Sequence, residues 1–154
     1  MKKSLGLVAA AMAALLTGAS IQGAAAGEAT EVFVYKTPTC GCCVGAIRHL
    51  EREGLTVRSF DVSQRQLGEL RAQYGLPADL LSCHSAYVDG YLVEGHVPAS
   101  AIRRLVAERP NVAGIAVPGM PLGAPGMEHP LGLREAYAVI AFGAEGERTV
   151  FAQY

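Results

Sequence analysis

Three features of the sequence point to a mixed α/β domain. Glu31 to Tyr35 and Leu55 to Phe60 are short runs of β-branched and aromatic residues, each followed by apolar residues at helical spacing. An Asp89-Gly90 dipeptide separates two more strand-like runs, and a last pair of such runs closes the chain. Strands that alternate with helices bury their apolar faces by packing helices onto a sheet.

The first 26 residues stand outside that domain. Met1-Lys2-Lys3-Ser4 precedes an apolar run from Leu5 to Leu16, and Ala24 and Ala26 supply small side chains before a cleavage point. This is the pattern of a secretory signal peptide. Leu5 to Gly27 is mostly Ala, Gly, Ser, Thr and Gln, a weak membrane span, so cleavage after Ala26 is expected rather than retention as an anchor. No cysteine lies near that point to carry a lipid. Losing Lys2 and Lys3 with the leader leaves residues 27–154 as a single domain with eleven basic and fourteen acidic side chains, net −3. Charges this scattered build no basic stripe, which excludes nucleic acid as a partner, and no membrane contact is expected after cleavage. The expected compartment is exported and oxidising.

Along the domain, Glu31 to Tyr35 reads as a strand stopped by Thr37-Pro38-Thr39. Val44, Ile47 and Leu50 mark an amphipathic helix ending near Gly54, and Leu55 to Phe60 is a second strand. Ser63 and Gln66 form a capping box ahead of Leu67, Leu70 and Tyr74, and Gly75 stops that helix. Ser85 to Val88 and Tyr91 to Glu94 flank Asp89-Gly90, whose residues suit a two-residue turn with positive φ. Pro98 opens a third helix carrying Ile102, Leu105 and Val106, which ends before Arg109-Pro110. This order (β-α-β, helix, β-hairpin, helix) is that of a thioredoxin-like domain. Asn111 to Glu128 is rich in Gly and Pro and reads as a loop, with Pro118-Gly119-Met120 repeated as Pro125-Gly126-Met127. Tyr137 to Phe142 and Arg148 to Tyr154 then read as a C-terminal β-hairpin appended to the core.

The chemistry is concentrated in two places. Cys40-Gly41-Cys42-Cys43 lies between the first strand and the first helix, and Cys83-His84 lies just before the hairpin. A helix N-terminus favours thiolate, because its unpaired N–H groups and partial positive charge stabilise the anion. In the expected fold the second place faces the first across a few ångströms. Redox domains of that fold usually carry a cis-proline there, where this chain has Cys83-His84 instead.

Three explanations compete. Four cysteines in an exported protein suit two structural disulfides, although a Cys42–Cys43 bridge is strained and a Cys40–Cys43 bridge resembles a reactive one. Thiol-disulfide exchange by Cys40 and Cys43 accounts for the position but leaves Cys42, Cys83 and His84 idle. Soft-metal binding uses them all. Thiolates prefer Cu(I), and thiolates within one turn converge poorly on a single ion yet can each bridge two. About four thiolates are neutralised by about four Cu(I), so the sharper expectation is a polynuclear cluster. An iron-sulfur centre on the same thiolates is a further class.

The joint pattern resembles a known family. Tyr35-Lys36-Thr37-Pro38-Thr39 with the cysteine cluster, Ser82-Cys83-His84, Asp89-Gly90-Tyr91, Glu94-Gly95-His96-Val97-Pro98 and Val117 through Glu128 are similar to the CopG-type periplasmic copper-resistance proteins. These are distinct from the ribbon-helix-helix repressors of the same name. The resemblance spans Val32 to Tyr154. It implies a thioredoxin-like fold, a periplasmic location and a copper cluster bridged by Cys40, Cys42, Cys43 and Cys83 with His84 beside them, with redox-linked handling of copper and other periplasmic copper-handling or efflux proteins as partners. One departure is visible, since Val44-Gly45-Ala46 is small where a bulky residue is expected. That implies looser packing over the cluster, or space filled by Met120 and Met127.

Met120 and Met127 are candidate thioether ligands or a lid, or else apolar plugs for their loop. His96 is an outer ligand, a proton carrier or a cap of the following helix. His49 stands about 10 Å along the helix from Cys42, too far to share an ion, and is expected at the surface. His129 is expected in a solvated loop.

Overall fold

The computed structural model describes residues 30–154, and the expected leader lies outside the described residues. The elements are β1 (Glu31–Lys36), α1 (Gly41–Arg52), β2 (Thr56–Asp61), α2 (Gln64–Gln73), a 3-10 turn (Ala78–Leu80), β3 (Ser85–Val88), β4 (Tyr91–Glu94), α3 (Ala99–Glu108), β5 (Gly114–Ala116), β6 (Ala138–Phe142) and β7 (Arg148–Gln153). All seven strands form one mixed sheet in the order β2-β1-β3-β4-β5-β6-β7. The pairs β1–β2 and β4–β5 are parallel and the others antiparallel.

Local chemistry sets the element ends. Ser63 Oγ accepts from the Gln66 N–H while the Gln66 side chain accepts from the Ser63 N–H, closing the capping box of α2. Asp89 and Gly90 take φ of 45° and 95°, the positive values that a two-residue hairpin turn requires. Pro98 caps α3 without a side-chain bond, and Arg109 ends that helix in the left-handed conformation.

Alternating side chains separate two cores. On one face of the sheet Val32, Val34, Val88, Val93, Ile115 and Val139 pack with Leu50 of α1 and Ile102 and Leu105 of α3. On the other, Leu92, Ala116 and Phe142 pack with Leu80 and with Leu70 and Tyr74 near the end of α2. Helices therefore cover both faces, and β4 is buried along its whole length.

Three readings need correction. The stretch from Asn111 to Glu128 is not all loop, because it contains β5; three residues are too few for a period to show in the sequence. Through β5 the C-terminal hairpin continues the sheet, so it is integral to the fold rather than appended. In α1 the buried stripe is Cys43, Ala46 and Leu50, whereas Val44 is exposed. The helix turns Cys43 towards the sheet, and Val44 faces away as a result.

Parallel and antiparallel pairing brings four chain segments to one end of the sheet. The C-terminal ends of β1, β4 and β5 and the N-terminal end of β3 meet there, beside the start of α1. Segments leaving the carboxyl ends of parallel strands commonly build binding sites, and the cysteines lie at this end.

Candidate metal centre

Cys40 is the N-cap of α1, and no side chain caps the helix there; its N–H is held by the Thr37 carbonyl at 3.1 Å. Nor does the first turn carry an acidic residue, so no carboxylate competes with the cysteines for the positive end of the helix dipole. Cys40 and Cys43 are joined by a disulfide with Cα atoms 5.4 Å apart, while Cys42 and Cys83 are free. Among the described residues this leaves one bridge, so the reading with two structural disulfides is not what the fold builds. Cys42 Sγ lies 3.6 Å from Cys40 Sγ and 3.6 Å from Cys83 Sγ, and Cys43 Sγ lies 3.6 Å from Cys83 Sγ. All four sulfurs fall within 4.8 Å of one another. Two thiolates on one ion at about 2.3 Å each would stand about 3.7 Å apart, so this spacing fits a metal-thiolate set.

Cys83 also joins a second group. Its Sγ is 3.3 Å from His84 Nδ1 and 3.0 Å from His96 Nε2, and the two imidazoles meet edge to face with centroids 5.1 Å apart. Both histidines are buried. His96 Nδ1 lies 2.7 Å from the Pro125 carbonyl oxygen, which can only accept, so Nδ1 carries the proton and Nε2 presents its lone pair to the Cys83 sulfur. Burial, with the neighbouring His96 and Arg71, pushes His84 down to about 3, and burial likewise lowers His96. The Cys83 thiol is pushed up to about 12 by burial and by its neighbour Cys42, so without a cation it holds its proton at neutral pH.

The segment carrying Cys83 is fixed from beneath by a network the sequence did not disclose. Glu94, wholly buried at the end of β4, accepts from Arg71 of α2 at 2.7 and 3.2 Å, from the Ser82 N–H at 2.7 Å and from Ser85 Oγ at 2.5 Å. Arg71 also donates to the Ser82 carbonyl at 2.9 Å. Burial raises the Glu94 carboxyl above its ordinary value although Arg71 opposes the shift. The Glu94 N–H and carbonyl belong to a strand pattern, and nothing in that pattern singles out a buried charge.

The remaining candidates are placed as follows. Met120 Sδ lies 3.9 Å from Cys42 Sγ and the residue is 52% exposed, so it covers the thiols from the solvent side and is not a core plug. Met127 is half-buried and is held through its backbone, which bonds Gly123 and Ala124. His96 bonds Cys83 and Pro125 rather than α3, whereas His49 Nε2 accepts from the N–H of Ala99, the first residue of that helix, at 3.3 Å. His49 is accordingly half-buried rather than a surface residue, and burial lowers it. His129 is half-buried in its loop and accepts from the Leu131 N–H at 3.2 Å.

Packing above α1 is tight, not loose. A Cβ on Gly126 would stand 2.4 Å from the Ala46 nitrogen and 2.6 Å from the Cys42 carbonyl, and one on Gly45 would stand 2.8 Å from Gly126 Cα. The small residues after Cys43 admit the backbone of the 117–128 loop, which in turn delivers the Pro125 carbonyl to His96. Ser82 Oγ donates to the Gly119 carbonyl at 2.5 Å, and the Gly119 N–H donates to the Leu81 carbonyl at 3.2 Å, so the Met120 and Cys83 segments are stitched together.

Residues 80–127 match the family described as protein of unknown function, DUF411. No curated protein sequence matches the chain. Two solved structures do, form 2 and form 1 of a copper resistance protein copG. The first is 39% identical with a TM-score of 0.75, covering 82% of this chain and 99% of that one. The second is 38% identical with a TM-score of 0.76, covering 82% and 98%. Identity of this level over nearly the whole of those chains shows that the chain belongs to the CopG copper-resistance family.

Proposed function

We propose that this is an exported copper-resistance protein in which Cys40, Cys42, Cys43 and Cys83, with His84 and His96 beside them, hold a polynuclear Cu(I) cluster on a thioredoxin-like core. The carrying observation is the convergence of four sulfurs within 4.8 Å from two facing segments. Thiolate and imidazole are the donors that Cu(I) favours, and three sulfurs on one helical turn are suited to bridging several ions. The order β2-β1-β3-β4 with helices on both faces supports the thioredoxin-like reading. A leader ending at Ala26 would deliver residues 27–154 to the periplasm, with other copper-handling or efflux proteins as partners. Sequestering copper there, or changing its oxidation state, would protect the cell.

Assembling the cluster requires the Cys40–Cys43 bridge to open: an external dithiol gives it two electrons and two protons, becomes a disulfide itself and leaves two thiols here. Each thiol then releases its proton to solvent as a metal ion takes its place, and burial makes that release costly for Cys83. The dipole at the start of α1 supports the anions, and Met120 shields them.

A second reading, thiol-disulfide exchange, is favoured by one observation, the Cys40–Cys43 disulfide itself. Replacing Cys83 separates the two. Under the cluster reading Cys83→Ser abolishes or severely weakens copper loading; under the exchange reading it leaves Cys40–Cys43 turnover with a dithiol largely intact and copper irrelevant. Iron and visible colour in the purified protein would instead indicate an iron-sulfur centre.

A further inference from the structure

The two donor groups share Cys83 but differ in what a disulfide does to them. Bonding Cys40 to Cys43 takes two of the four thiolates out of the first group, since disulfide sulfurs have no anionic charge to share between ions. The second group loses nothing. With the bridge closed, Cys83 Sγ, His84 Nδ1 and His96 Nε2 still lie within 4.8 Å of one another.

The geometry points to a separate mononuclear Cu(I) site, formed by Cys83, His84 and His96, that persists when Cys40 and Cys43 are disulfide-bonded. It rests on the copper-binding reading above and adds a redox-dependent second mode to it. Four features carry it. Sulfur-to-nitrogen distances of 3.0 and 3.3 Å are close to the roughly 3.6 Å that a thiolate and an imidazole would span on one ion, so a small opening admits the metal. Charge favours a monovalent ion, because one thiolate and two neutral imidazoles leave a neutral buried site with Cu(I) and a charged one with a divalent ion. The Pro125 carbonyl holds the proton of His96 on Nδ1 and so keeps Nε2 unprotonated and aimed at the sulfur. The Arg71–Glu94 network fixes Ser82 and Ser85 on either side of Cys83-His84 without using either ligand.

The site therefore distinguishes the two states of the protein by capacity. The reduced chain would hold several ions and the bridged chain one.

The test uses residues 27–154 with Cys40→Ser and Cys43→Ser together, which removes the bridging thiolates and mimics the closed state. The variant is loaded anaerobically with Cu(I), desalted and examined by metal analysis and copper X-ray absorption, with far-UV circular dichroism to establish folding. The expected result is one copper with mixed sulfur and nitrogen ligation. Adding His96→Ala should then weaken Cu(I) binding at least about tenfold, no less than the loss of an outer-shell partner usually costs. A folded variant that retains no copper, or one copper ligated by sulfur alone, overturns the proposal. If the double variant does not fold, wild-type protein bridged with oxidised glutathione and loaded with Cu(I) without other reductant is measured the same way, and the same two results overturn it. The underlying reading fails separately: reduced wild type that saturates at one copper contradicts the cluster, whereas reduced wild type taking several ions beside an empty closed form contradicts only this second mode.

Discussion

Cys83 is the hinge of the chemistry, because its sulfur is the one that both donor groups contain. His84 and His96 are held below their ordinary value by burial, so unfolding exposes two imidazoles that bind protons more readily than the native ones. Their contribution to stability is present above about pH 6.5 and is lost as pH falls towards the native value, which for His84 is about 3. Urea unfolding of the metal-free protein from pH 7.5 to 5 should show stability falling by about 1.4 kcal/mol per pH unit from His84 once pH is below about 6, with His96 adding in the same direction. His84→Gln should flatten that decline; an unchanged slope would mean that His84 is not the group responsible. Glu94, held above its ordinary value by burial, works in the opposite sense, its contribution being lost as pH rises from the ordinary carboxylate range towards the native value. Its removal is a separate matter. Glu94→Gln leaves Arg71 buried without its counter-charge and should cost about 3–5 kcal/mol in thermal or urea unfolding. A loss below about 1 kcal/mol would show that the pair is not what fixes the Ser82 segment.

The elements were legible to different degrees, for physical reasons. The capping box of α2 and the Asp89-Gly90 turn are local interactions written in two or four residues, and the structure has both. Which residues of α1 face inward depends on what the helix packs against, so Val44 was misassigned and Cys43 was not seen as a core residue. β5 is too short to leave a period, yet it joins the C-terminal hairpin to the sheet. The cysteines and His84 stood out because soft donors are rare and clustered. The duties of Glu94, Arg71 and His49 did not, since each depends on a partner 23 or 50 residues away. The contact of the 117–128 loop with α1 is equally nonlocal and can be tested directly. Gly126→Ala places a Cβ against the Ala46 nitrogen and should cost about 2–4 kcal/mol from overpacking and positive φ, and weaken copper binding by moving Pro125 from His96. Gly119→Ala, where nothing lies within 4 Å, should cost only about 1 kcal/mol from its φ of 64°. Equal losses at the two positions would contradict a close loop–helix contact.

At the scale of the whole molecule, the sheet carries the four site segments to one end, and helices on both faces hold them there. No helix among the described residues is long and apolar enough to cross a membrane. Expression in a Gram-negative host should yield periplasmic protein whose intact mass begins at Gly27; a mass that includes Met1 to Ala26 would contradict the proposed leader. Membership of the copper-resistance family supports copper as the metal proposed above, and the arrangement of the sulfurs supports the proposal that several ions are held. The most direct measurement is an anaerobic Cu(I) titration of the fully reduced 27–154 chain, with metal analysis and copper X-ray absorption at saturation. The account predicts several ions per chain, sulfur-dominated ligation and short copper–copper distances. Saturation at a single copper, or no copper–copper scattering, would contradict it.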